Sequence, residues 1–122
     1  MKMISKSFSA LLLAGCASVV LAAESYSVAD LHAQRTDLGG REVSVTGTVI
    51  KVNNNIMRRN FVHVQDGTGS GDNDRIIVTS QQTAEVGDKV TATGIVKLDT
   101  DFGMGYFYPT LIEEASITAA GN

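Results

Sequence analysis

The strongest periodicity in the chain has a repeat of two. Val43, Val45, Gly47 and Val49 alternate with polar residues, and Val43-Ser-Val-Thr-Gly47-Thr-Val-Ile is echoed by Val90-Thr-Ala-Thr-Gly94-Ile-Val-Lys with the glycine in the same place. Alternation of this kind marks a strand with one buried face. A glycine inside such a strand marks a bulge, a sharp bend or a close approach of backbone. Ile50 and Val52 fall on the opposite face from Val43 to Val49, so a bend or bulge is expected between Gly47 and Ile50. The same reading predicts strands over about 42–52, 61–66, 75–79, 89–98 and 106–117, with Pro109 marking an edge or bulge in the last. Asn53 to Asn60, Asp66 to Asp74 and Asp99 to Gly105 read as loops by composition. Ahead of the strands, Ser27 is placed to cap a short helix. Val28, Leu31, Ala29 and Ala33 form its apolar side, and Gly39-Gly40 ends it.

Five strands, two of them long and bent, with no long helix, predict an all-β protein. The expected fold is a five-stranded OB-fold Greek-key barrel with a short N-terminal helix plugging one end. An SH3-like barrel and a small open sandwich are the alternatives.

The first 22 residues have a different character. Lys2 and Lys6 precede an apolar run from Phe8 to Ala22, followed by small residues up to Ala23. This is the pattern of a cleaved secretory signal, which places the domain at 23–122 in the periplasm. The run is too short for a good membrane span. Leu13-Ala-Gly-Cys16 also matches a lipobox, so an outer-membrane lipoprotein anchored at Cys16 is the alternative. The apolar run continuing beyond Cys16 favours soluble export. Cys16 is the only cysteine, so an exported mature domain has no disulfide or thiol chemistry.

Charge narrows the partners. Without Lys2 and Lys6, eight basic residues face thirteen acidic ones, so the mature domain carries about −5. Nonspecific nucleic-acid binding relies on neutralising phosphates, and the overall field here opposes it.

Val49-Ile-Lys-Val-Asn-Asn-Asn-Ile-Met-Arg-Arg-Asn-Phe-Val-His-Val-Gln-Asp-Gly-Thr-Gly69, with Val86-Gly-Asp-Lys-Val-Thr-Ala-Thr-Gly94 and Asp101-Phe-Gly-Met-Gly-Tyr106, resembles a family of exported bacterial OB-fold proteins. The family includes NrfJ-like members and carries the label nucleic-acid- or nucleotide-binding. The resemblance covers nearly the whole mature chain and implies that fold and a binding function. This chain departs from the pattern in two places: Phe61 stands where tryptophan is common and Arg58 where glycine is common.

OB-folds bind ligands across strands two and three, between the loop joining strands one and two and the loop joining four and five. The candidate ligand-binding residues are therefore Asn55, Arg58, Arg59, Phe61, His63 and Tyr106. The arginines suit phosphate or carboxylate. Phe61, Tyr106 and the neighbouring Phe102 suit stacking on bases or sugars. The bland alternatives are core or lid aromatics and solvated charges. Asp99 and Asp101 oppose a phosphate backbone crossing the second loop. If Val62 and Val64 point inward, Phe61, His63 and Gln65 fall on the other face, the expected binding surface. His63 with Met57 or Met104 is conceivable for Cu(I), but no ligand spacing supports it, and no metal is assigned. Asp72 and Asp74 resemble one fragment of a calcium repeat, and a lone copy does not make a site. No nucleophile elbow, P-loop or zinc-helix motif is present, so neither an enzyme nor a cofactor is expected. The two functional expectations are an oligonucleotide or nucleotide binder and a periplasmic protein-interaction or accessory module, with metal handling a third.

Overall fold

The computed structural model describes residues 23–120. The leader segment 1–22, with Cys16, lies outside the described residues. Alternating valines make the strands, and the strands close on themselves. β1 is Glu24–Ser25, α1 Val28–Ala33, α2 Arg35–Leu38, β2 Glu42–Ile56, β3 Arg59–Gln65, β4 Ile76–Ser80, β5 Lys89–Asp101 and β6 Phe107–Ala119. β2 pairs antiparallel with β3, and β3 with β4. β4 pairs parallel with β6, β6 antiparallel with β5, and β5 returns to β2. This is a closed five-stranded Greek-key barrel, the expected OB topology, with β1 added in parallel outside β2.

The barrel interior is filled from every strand: Val43, Val45 and Val49, Val62 and Val64, Ile76 and Val78, Ala92 and Val96, Ile112. Val28, Leu31 and Leu38 join the same core from the helices. Each valine, leucine or isoleucine side chain so buried is worth about 1.5–3 kcal/mol. The helical segment is split at Gln34, which ends α1 and begins α2. Ser27 caps α1, with Oγ accepting from the Asp30 N–H at 3.0 Å. A second cap comes from the β3–β4 connection. The Asp66 carboxylate accepts from the Val28 N–H at 3.0 Å, and Thr68 Oγ1 accepts from the Ala29 N–H at 2.9 Å. Burial pushes the Asp66 carboxyl up. Hydrogen bonds from the Thr68 hydroxyl, the Val28 N–H and the Thr68 N–H outweigh that and hold it below the usual carboxylate range.

The first 7 residues of β2 pair with β5 and the remainder with β3, and Thr48 pairs with both. Gly47 sits at this changeover. A Cβ there would meet the Gln65 carbonyl oxygen at 2.5 Å and Val64 Cγ1 at 2.9 Å. Gly94 is the counterpart on β5, where a Cβ would meet the Glu113 carbonyl oxygen at 2.7 Å and Ile112 Cγ2 at 2.8 Å. Neither glycine has a positive φ. The twin glycines therefore answer to close approach of a neighbouring strand, not to a special backbone angle. The bulge expected near Ile50 falls between Val49 and Lys51.

Two segments read as loops are partly strand. β2 runs on to Ile56 and β5 to Asp101, so both hairpins are longer than composition suggests. Asparagine-rich composition does not forbid a ladder when its partner strand and a covering apolar contact are present. Ile56 and Met57 supply that contact by packing on Phe61. Pro109 lies where β6 has β5 beside it but has not yet met β4, whose pairing begins at Leu111, so its missing N–H costs no ladder bond on that side.

Candidate functional site

Because Val62 and Val64 enter the barrel, Phe61 and His63 fall on the outer face of β3. Ile77 and Thr79 take the same face of β4, and Leu111 that of β6. The outer face is not open. Phe61, Ile77 and Leu111 form a second apolar cluster, covered by Ile56 and Met57 from one hairpin and by Phe102, Tyr106 and Tyr108 from the other. Phe61 is its hub and is 0% exposed. Its ring centroid lies 5.3 Å from Phe102 and 5.6 Å from Tyr106, both edge-to-face, and 5.8 Å from Tyr108. Such pairs add about 0.5–1.5 kcal/mol each beyond burial. The Arg59 guanidinium lies over the Phe102 ring, 4.8 Å from its centroid.

The β2–β3 turn is Met57-Arg58, with φ of 52° and 67°. Two positive φ values at the centre of a two-residue hairpin loop define a type I′ turn, which favours Asn-Gly. Arg58 is thus held where glycine fits best. Asn55, at φ 61°, fills a bulge between Asn53 and Ile56. The tip is fastened to the segment after β4: Gln81 Nε2 donates to the Arg58 carbonyl at 2.8 Å, and Asn60 Nδ2 to the Gln82 carbonyl at 3.0 Å. Asn60 Oδ1 also accepts from the Asn55 N–H at 2.9 Å.

In the second hairpin, Asp101 Oδ1 accepts from the Gly103 N–H at 2.7 Å and shapes the loop. Asp99 is paired with Arg35 at 2.9 Å. Arg35 also donates to Thr110 Oγ1 and the Pro109 carbonyl, tying α2 to the hairpin root. Both carboxylates expected to repel phosphate thus have structural duties. Beyond them Met104 is 90% exposed and Phe107 52%.

The structure brings Arg59, Phe61 and Tyr106 into one cluster and places Asn55 and Arg58 at the neighbouring tip. His63 shares the face one register row away, opposite Ile77, but is buried at 8% exposure. For Phe61 the core-or-lid alternative holds, since the hairpin residues cover it; the expectation that His63 presents itself to solvent is corrected, because it lies on the outer face but is buried. Neither His63 nitrogen has a hydrogen-bond partner among the described residues. Burial, with lesser contributions from the Lys51 and Arg75 charges, pushes its pKa down to about 4, so the ring is neutral at pH 7. Among the described residues no group of three His, Cys, Asp or Glu side chains is gathered to hold a metal. Sequence reasoning missed Tyr108, which follows Tyr106 with the strand period, and Thr79. The buried Thr79 hydroxyl has no partner among the described residues, a situation that costs about 1–3 kcal/mol. No helix among the described residues is long and apolar enough to cross a membrane.

No family model matches the chain, and no curated protein matches it significantly. Solved structures do. An OBody bound to hen egg-white lysozyme is 19% identical and covers 83% of this chain and 96% of its own, with a TM-score of 0.59. Asparaginyl-tRNA synthetase from Pyrococcus horikoshii, complexed with asparaginyl-adenylate, is 16% identical over 70% of this chain, with a TM-score of 0.51. A Leishmania major protein assigned as an aspartyl-tRNA synthetase is 11% identical over 86%, with a TM-score of 0.54. The matched parts are 20% and 22% of those synthetase chains. At such identities the likeness speaks for architecture, and with the strand order above it shows that the chain has the OB fold.

Proposed function

We propose that this chain is an exported, non-catalytic OB-fold binding module of the bacterial envelope, and that a partner protein docks on the rim formed by the β2–β3 and β5–β6 hairpin tips. The observation that carries this reading is the complete burial of Phe61. Phe61 is fully covered, so it offers no face to a base, while Met104 and Phe107 on the β5–β6 hairpin are exposed. Exposed apolar side chains with an arginine at a rim are the composition of a protein contact. A net charge of about −5 on the mature domain supports the same choice. Holding Arg58 at positive φ costs about 1 kcal/mol, and strain retained at a loop tip points to use of that tip. An OBody bound to lysozyme gives a precedent for an OB fold with a protein partner. Export is supported by Lys2, Lys6 and the apolar run to Ala22, and the NrfJ-like resemblance agrees with it.

A second reading, an oligonucleotide or nucleotide ligand, is favoured by Arg58 and Arg59 at adjacent positions and by the label of the resembling family. It requires the hairpins to part and uncover Phe61, whereas Tyr106 is already half-exposed. A salt titration with single-stranded DNA separates the two. The docking reading expects no binding at low salt. It also expects capture of a periplasmic partner that is lost in Met104→Ser/Phe107→Ser. DNA binding that weakens steeply with salt and disappears in Arg58→Ala/Arg59→Ala would replace it with the second.

A further inference from the structure

The barrel has one weak seam on the face that carries the site. β4 and β6 are in parallel register only at Ile77–Leu111 and Val78–Ile112. Past Ile112, β6 bulges opposite Gly94, with Glu114 at φ 53°, and leaves β4. Side chains bridge the gap: Ser80 Oγ donates to the Ala115 carbonyl at 2.6 Å, and Gln82 Oε1 accepts from the Ile117 N–H at 2.8 Å. Outside these bridges is a cleft of about 440 Å³, within the range of small-ligand sites, whose lining includes Arg59, Thr79, Gln81, Glu113, Glu114 and Ser116.

Two of these groups have unused donors. Thr79 is 1% exposed and its hydroxyl has no partner among the described residues. Arg59 rests its guanidinium on the Phe102 ring and forms no ion pair among the described residues, so its edge N–H groups remain free. A planar guanidinium edge beside a hydroxyl donor suits a carboxylate. The acidic neighbours set the charge limit. Glu113 is already matched by Lys97 at 3.2 Å, whereas Glu114 adds negative charge at the cleft and opposes a dianion. Gln81 spends its Nε2 on Arg58, which leaves Oε1 to accept, and Ser116 can both donate and accept.

We propose that this cleft receives the C-terminal carboxylate of a peptide chain, held by Arg59 and Thr79, with Gln81 and Ser116 meeting its last amides. The proposal rests on the docking reading and names the chemistry of the partner's end. The test is a chemical-shift titration of the ¹⁵N-labelled protein with trialanine, with its C-terminal amide, and with inorganic phosphate. The acid is expected to shift the Thr79, Gln81 and Ser116 amides saturably, and the amide to bind about tenfold or more weakly. Arg59→Gln is expected to abolish the difference. Thr79→Val is expected to weaken acid binding while melting at or above the wild-type temperature, which separates a lost contact from a lost fold. Equal binding of acid and amide, shifts produced by phosphate alone, or no shift at millimolar acid would each overturn the proposal. If the acid fails while Met104→Ser/Phe107→Ser still abolishes partner capture, the cleft assignment falls and the docking rim stands.

Discussion

Replacing Gly47 by alanine tests why the barrel closes as it does. The new methyl would stand 2.5 Å from the Gln65 carbonyl oxygen and 3.0 Å from its carbonyl carbon. Those are ladder atoms of β3, so relief requires the strands to separate and cannot come from a side-chain rotation. Overpacking in a fixed core costs about 1–3 kcal/mol, and a backbone obstacle belongs at the upper end. Helix or strand propensity alone would favour alanine by up to about 1 kcal/mol, so the sign of the result is informative. For a domain of this size, about 2–3 kcal/mol lowers Tm by about 10–20 °C. Urea unfolding followed by far-UV circular dichroism should show a lower midpoint with an unchanged slope. Gly94→Ala should behave alike, since its methyl would meet the Glu113 carbonyl at 2.7 Å. Gly87 supplies the contrast: nothing lies within 4 Å of its added methyl, and only its φ of 97° resists substitution, at about 1 kcal/mol. A Gly47→Ala protein within about 0.5 kcal/mol of wild type would refute the close-approach account.

The buried His63 has a folded pKa of about 4, below its ordinary 6.5, so its contribution is complete above pH 6.5 and is lost as the pH falls towards 4. The loss should amount to about 1–3 kcal/mol in chemical denaturation, and His63→Leu should flatten the profile across that window. Arg58→Gly should stabilise the fold by about 0.5–1 kcal/mol, read from the urea midpoint, because glycine accepts the φ of 67° without strain; partner capture should fall with it. Asp66→Asn should cost about 1–2 kcal/mol in thermal melts by weakening the cap on Val28 and the Thr68 contacts, with less sensitivity to acid than wild type. Intact mass of the secreted protein should correspond to a start at Ala23 or Glu24; an acylated Cys16 would instead show the lipoprotein route.

Alternation by two was enough to assign the faces of β2 and β3, and the paired glycines marked where strands crowd each other. Chain order then led to the OB barrel, since the two long bent strands have few other ways to close. Arg59, Phe61 and Tyr106 were legible as neighbours because the fold brings their loops to one rim. Three features were not legible. Asp66 as a helix cap joins residues 38 apart in sequence. The pairing of Asp99 with Arg35 spans 64. The complete burial of Phe61 follows from hairpins that extend past Val52 and Leu98 and place Ile56, Met57, Phe102 and Tyr106 against the outer face. Local pattern states which face a residue takes; it does not state what else comes to cover that face. Period and composition were enough for the order of the barrel strands, the inward sides of β2 and β3, and the two glycines as marks of a special position, because those are written in neighbouring residues. Chain closure decided the rest: Phe61 is buried beneath the hairpins, the Gln65 and Glu113 carbonyls leave no room for a Cβ at 47 and 94, Arg59 is left without an ion pair among the described residues, and a cleft opens where β6 parts from β4. Each of those depends on long-range contacts whose partners are set by chain closure and carry no local signature.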